Sequence, residues 1–233
     1  MKHVLLSGAA ALVLAAGGGW WLSGSASNPT QAGGAIDLPG AANAQEASDE
    51  AAEDIDTSSI VEMTLGEESA PVKIVEYASF TCPHCANFHG DQFKKLKAEY
   101  IDTGDVHFTY RDVYFDRYGL WASMVARCGG QERFFGITEM IYDQQKDWIG
   151  DGQDPVAIAD RLRKIGKVAG LDDAELDACL DDGDKAKTLV AWFQKNAEAD
   201  QVNSTPTLVI NGETKSNMSY EELKALIEDA LPE

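Results

Sequence analysis

At 233 residues with 44% apolar side chains, the chain is long enough for one domain with a real core plus extensions. Its formal net charge of −20 argues against nucleic acid as a partner, because phosphates demand Lys and Arg. The charge is uneven: nine acidic and no basic residues fall between Gln45 and Ala70, a pattern that reads as a solvated linker.

In chain order, Met1-Lys2-His3 is a short positive start and Val4 to Leu22 carries no charge. Residues 1–22 therefore read as a signal peptide or an N-terminal membrane anchor. Ala42-Asn43-Ala44 fits a small-x-small cleavage pattern, although it lies some twenty residues beyond the apolar run. On either reading the bulk of the chain is exported, with the periplasm as its expected location. Residues 23–59 are Gly, Ala, Ser, Asn and acidic residues, the composition of a flexible tether.

Structure is expected from Ile60. Ile60 to Leu65 alternates as a short strand, and Val72 to Tyr77 follows as a second. Pro83 to Tyr100 carries Phe88, Phe93, Leu96 and Tyr100 at roughly helical spacing, with Pro83 tolerated in the first turn. Val106 to Tyr110 is a third strand. A run of helical signals then covers Trp121–Cys128, Arg133–Gln145, Pro155–Val168, Asp172–Leu180 and Lys185–Val202, separated by glycine-containing turns. Trp121, Trp148 and Trp192 read as core of this block. Thr207 to Ile210 returns to strand, Asn211-Gly212 signals a hairpin, and Ser219 with Glu222 forms a capping box for a last helix. The order implies a mixed α/β sheet interrupted by a helical insertion.

The chemistry concentrates in Cys82-Pro83-His84-Cys85, at the junction of the second strand and the first helix. The N–H groups and partial positive charge of a helix start stabilise a thiolate, so the Cys82 pKa is expected to fall, and a protonated His84 adds to the effect. A low-pKa thiol is a good leaving group, which suits a dithiol that passes its disulfide on. A half zinc site is the competing reading, but Cys128 and Cys179 are far apart in sequence and supply no second close couple. A c-type haem needs His directly after the second Cys, where Ala86 stands. Glu76, in mid-strand, reads either as a buried acid serving Cys85 or as a solvent-facing strand residue. Asp147–Asp154 and Asp181–Asp184 lack the full spacing of calcium loops and read as solvated turns.

Together these pieces resemble the DsbA family of exported disulfide oxidoreductases, over about residues 60–231. The resemblance rests on the Cys82-Pro83-His84-Cys85 motif, on Glu76 six residues before Cys82, on Thr205-Pro206-Thr207, and on a helical block after the third strand. It implies a thioredoxin fold divided into a first part (60–116), a helical insertion (117–185) and a second part (186–233). It implies that Cys82 attacks and leaves, that Cys85 resolves the mixed disulfide, and that Glu76 is the family's buried acid. It also implies that Thr205-Pro206 is a cis-proline loop facing the sulfurs. Cys128 and Cys179 sit where many relatives keep a second, structural disulfide, the alternative being two buried thiols. No cofactor and no metal is expected. The expected partners are folding exported proteins with free thiols and a DsbB-like, quinone-linked membrane re-oxidant; a monomer is expected. Thr205 before the proline is the residue of isomerase-type relatives and of some DsbA-like ones. An isomerase or reductase that is kept reduced is therefore the nearest rival, and a copper-delivery module a more distant one.

Overall fold

The computed structural model describes residues 55–232; the expected leader or anchor and most of the expected tether lie outside the described residues. Five strands form one sheet in the order β1-β3-β2-β4-β5. They are β1 (Met63–Leu65), β2 (Val72–Ala78), β3 (Val106–Asp112), β4 (Thr207–Ile210) and β5 (Glu213–Ser216). β2 and β3 run parallel, and the other pairs are antiparallel. A parallel pair needs a long crossover, here the helical stretch from Pro83 to Ile101. This is the thioredoxin arrangement that the resemblance implies.

Between β3 and β4 lie six helices: α3 (Arg117–Cys128), α4 (Gly130–Asp143), α5 (Gln145–Ile149), α6 (Pro155–Val168), α7 (Asp173–Leu180) and α8 (Gly183–Ala199). α9 (Tyr220–Ala230) closes the chain behind the expected Ser219–Glu222 capping box. The insertion packs its own core onto the sheet: Trp121, Trp148 and Trp192 are all buried. Trp148 meets its one polar obligation by donating from Nε1 to the Ile141 carbonyl at 2.9 Å. Cys128 at the end of α3 and Cys179 in α7 form a disulfide, tying two insertion helices together.

The structure departs from the sequence expectation in four places. The first strand begins at Met63, because Ile60 is drawn into a turn by its N–H bond to the Thr57 carbonyl. α3 starts at Arg117 rather than Trp121. Asp116 caps it by accepting from the N–H groups of Tyr118 and Gly119, and an internal glycine masks that start in the sequence. The expected helix Arg133–Gln145 is two helices, α4 and α5, with Gln144 between them in a non-helical conformation.

The fourth departure bears on the site. The helical stretch after the cysteines is not uniformly α. Short α segments, α1 (Pro83–Asn87) and α2 (Phe93–Leu96), alternate with π-helical turns at Phe88–Gln92 and Lys97–Ile101. The apolar spacing explains this: Phe88 to Phe93 and Leu96 to Ile101 are each five residues apart, the period of an i→i+5 turn. The first π turn also brings the consecutive residues Phe88 and His89 inward together, leaving both nearly inaccessible.

Candidate functional site

Cys82 is the N-cap of α1, with extended backbone, and Pro83 is the first helical residue, where no N–H is needed. Cys85 lies one turn on and is fully buried; both cysteines are free thiols in the structure. His84 is exposed. Cys82 itself is only 9% accessible, because the loop before β4 lies over it. In that loop the Thr205–Pro206 peptide is cis, and the Thr205 carbonyl accepts from Cys82 Sγ at 3.5 Å.

The two thiols are pushed in opposite directions. The Cys82 pKa is lowered to about 5, chiefly by the hydrogen bond from Cys85. Burial opposes this, while the Thr205 side chain and the backbone N–H groups of Cys85 and His84 support it. The contribution of His84 in this set is therefore its backbone N–H. Burial drives the Cys85 thiol far up, helped by its bond to Cys82 and by the charge of Glu76. The pair thus holds one thiolate and one thiol near neutral pH.

Glu76 occupies the central strand, paired with Tyr110 of β3 on one side and Leu208 of β4 on the other. It shares a face with Ile74 and Ala78, under the helices, and is fully buried rather than solvent-facing. Its Oε2 meets Nε2 of the buried His89 at 2.8 Å. The His89 ring stacks on Tyr142, and the Tyr142 and Tyr110 hydroxyls bond at 2.8 Å. The sequence reading overlooks His89. Its signal was available: it lies four residues after Cys85, on the same helix face.

Also overlooked are the residues by which the insertion holds the cysteine loop. Gln145 of α5, buried, donates from Nε2 to the carbonyls of Phe80 (2.8 Å) and Cys82 (2.9 Å). Thr81 Oγ1 donates to Asp116 Oδ2 at 2.7 Å, on the same carboxylate that caps α3. Such long-range bonds leave no sequence signature. Among the described residues, no cluster of His, Cys, Asp or Glu is arranged to hold a metal, and no helix is long and apolar enough to cross a membrane.

A family model described as Thioredoxin matches residues 58–229. A putative protein-disulfide oxidoreductase of Rickettsia bellii is 32% identical over 173 residues, covering 74% of this chain and 65% of that protein. The chain belongs to the thioredoxin family. Disulfide bond formation protein D of Bacillus subtilis is a further relative, 28% identical over 72% of this chain and 76% of its own length. The crystal structure of Wolbachia pipientis alpha-DsbA1 superposes with a TM-score of 0.66 at 24% identity, covering 72% of this chain and 90% of that one, and so shares the fold. The chain spans just under two thirds of the length of the R. bellii relative.

Proposed function

We propose that the chain is an exported thiol–disulfide oxidoreductase that introduces disulfides into folding proteins through Cys82 and Cys85. One observation carries the reading: Cys82 is held as a thiolate, with a pKa of about 5, beside a buried Cys85 thiol. A stabilised thiolate makes the reduced form favourable and Cys82 a good leaving group, which is what an oxidising dithiol requires. A substrate thiolate attacks Cys82, the Cys82–Cys85 bond opens, and Cys85 takes up a proton. A second substrate thiolate then attacks the substrate sulfur of the mixed disulfide and releases Cys82 as thiolate.

In this reading Pro83 sets the helix start, His84 tunes the thiolate, and Glu76 exchanges the Cys85 proton. The cis edge at Thr205-Pro206 pairs with extended substrate backbone, a mode that needs no sequence specificity. The Cys128–Cys179 bridge is structural and stabilises the insertion (117–185) between the two parts of the thioredoxin unit (60–116 and 186–233). Residues 1–22 direct or anchor the chain at the membrane, and 23–59 tether it. Its partners are folding proteins with free thiols in the periplasm and a DsbB-like re-oxidant, and it acts as a monomer.

The reduction potential against glutathione tests the reading. A value near about −120 mV fits an oxidase, and one near about −270 mV fits a reductase. The second outcome would favour an isomerase or reductase kept reduced, the reading that Thr205 before the cis-proline supports. Loss of thiol-oxidising activity in Cys82→Ser is required on both readings.

A further inference from the structure

The dithiol raises a problem of proton traffic. Cys85 must gain a proton each time the disulfide opens and lose it each time the disulfide re-forms, yet it is fully buried. Glu76, also fully buried, acts on Cys85 through its charge. Its Oε1 has no hydrogen-bond partner among the described residues, which leaves one carboxyl oxygen open for exchange with the thiol. Its Oε2 is taken by His89 Nε2 at 2.8 Å. A carboxylate sealed in the core can hand a proton to the thiol, or take one from it, only if a further group connects it to solvent.

His89 supplies the missing connection. It is 4% accessible, and that sliver faces a surface pocket of about 240 Å³ between the helical stretch after the cysteines and α4. Leu65, Phe93 and Phe135 make apolar walls, and Lys94, Glu139 and Asp143 stand among its charged residues. Neither cysteine and no residue of the Thr205–Pro206 loop that covers Cys82 lines this pocket. The ring's orientation is fixed by stacking on Tyr142 and by its contact with Phe93, at centroid distances of 4.4 and 4.7 Å. The ionisable groups facing it from the packed elements are Glu76 of β2, Tyr110 of β3 and Tyr142 of α4. Both tyrosines are driven well above their ordinary range, chiefly by burial, and so stay neutral.

Resting on the oxidoreductase reading above, we propose that His89 relays protons between Glu76 and solvent in this pocket, so that Cys85 exchanges its proton through the rear of the site. When the disulfide opens, the S–S electron pair stays on Cys85. His89 passes its Nε2 proton to the Glu76 carboxylate, the carboxyl hands a proton on to the Cys85 sulfur and is a carboxylate again, and Nδ1 takes one from water in the pocket. Re-oxidation runs the chain outward and restores the original tautomer, so one full cycle resets the ring. A polar pair otherwise costly to bury is thereby given a use.

The test is a two-phase reaction of the reduced full-length chain with an aromatic disulfide. In the first phase the Cys82 thiolate attacks and one aryl thiolate leaves. In the second, Cys85 loses its proton, attacks Cys82 and expels the second aryl thiolate. His89→Gln, which keeps a hydrogen-bonding group but cannot relay, should leave the first phase unchanged. It should slow the second roughly 10²-fold, the low end of what a positioned acid–base group contributes. Imidazole added to His89→Ala should restore the second phase with a pH profile set by imidazole. Gly136→Leu offers a second line that leaves the core alone. Gly136 lines the pocket, and a Cβ there meets nothing within 4 Å, so there is room for a side chain to start from that wall of the opening. It should slow the second phase and block imidazole rescue. A wild-type second phase in His89→Gln, no rescue of His89→Ala, or no effect of Gly136→Leu would each overturn the relay. Absence of the first phase in the wild-type chain would instead refute the oxidoreductase reading.

Discussion

The most direct consequence of the site is a pH-dependent gap in stability between its reduced and disulfide forms. The perturbation is a shift from pH 7 to pH 4. In the reduced fold Cys82 titrates at about 5, against an ordinary value of 9.0. A depressed pKa stabilises the fold fully above the unfolded value and progressively less as pH falls, and the contribution is gone below the folded value. At pH 7 the group is ionised in the fold and protonated in the unfolded chain. The two pH units down to about 5, at about 1.4 kcal/mol each, give roughly 3 kcal/mol in favour of the reduced fold. At pH 4 nothing remains. The disulfide form has neither thiol to titrate; in the reduced form Cys85, driven up by burial, stays protonated in the fold and in the unfolded chain at both pH values, and the remaining ionisable groups are common to both forms. The difference between the two forms therefore isolates this one sulfur. Denaturant unfolding of both forms at pH 7 and pH 4, with thiolate absorbance to locate the midpoint, measures it directly. A midpoint near 9, or a stability difference unchanged between the two pH values, would refute the account of the thiolate.

Three further outcomes follow from named contacts. Thr205→Val removes a hydroxyl beside Cys82 that helps lower its pKa, keeps the backbone carbonyl, and should raise the Cys82 midpoint by up to about one unit, read from the pH dependence of alkylation. The double variant Cys128→Ser/Cys179→Ser opens a cross-link between residues 51 apart and should cost about 4 kcal/mol in the chain-entropy description, measured by unfolding, while Cys82 alkylation stays unchanged. Gln145→Ala leaves the carbonyls of Phe80 and Cys82 without their donor; it should destabilise by about 2 kcal/mol and broaden the conformations of the cysteine loop, seen as lost amide-exchange protection at Thr81 and Cys82.

Local sequence carried the features that are themselves local. A strand running into Cys-x-x-Cys, a Ser–Glu capping box before α9 and a Thr-Pro step before β4 each leave a mark within a few residues. Glu76 was ambiguous because alternation in a strand does not tell which faces are covered; at this end of β2 both are, since Glu76 and Tyr77, on opposite faces, are each fully buried. The π turns were legible in principle, since five-residue gaps between buried apolar positions break the α period, yet a few residues of spacing pass easily as an irregular α helix. Gln145 and the Thr81–Asp116 contact were not legible at all. They join positions tens of residues apart, and a glutamine in a helical segment looks like any solvated one until the backbone it reaches is known.

The grip of Gln145 has a consequence for transplanting the chemistry. The two N–H groups of its amide hold carbonyls on either side of Thr81, so the posture of the reactive loop is set by a helix outside the core sheet unit. Copying Cys82-Pro83-His84-Cys85 into a plain thioredoxin scaffold would carry over the letters of the motif without the hand that steadies it. A graft that includes α5 together with the α3 cap at Asp116 would keep the loop's attachment points. In this protein the inserted helices α3 to α7 act as scaffolding for the motif and are part of what makes those four residues behave as a unit.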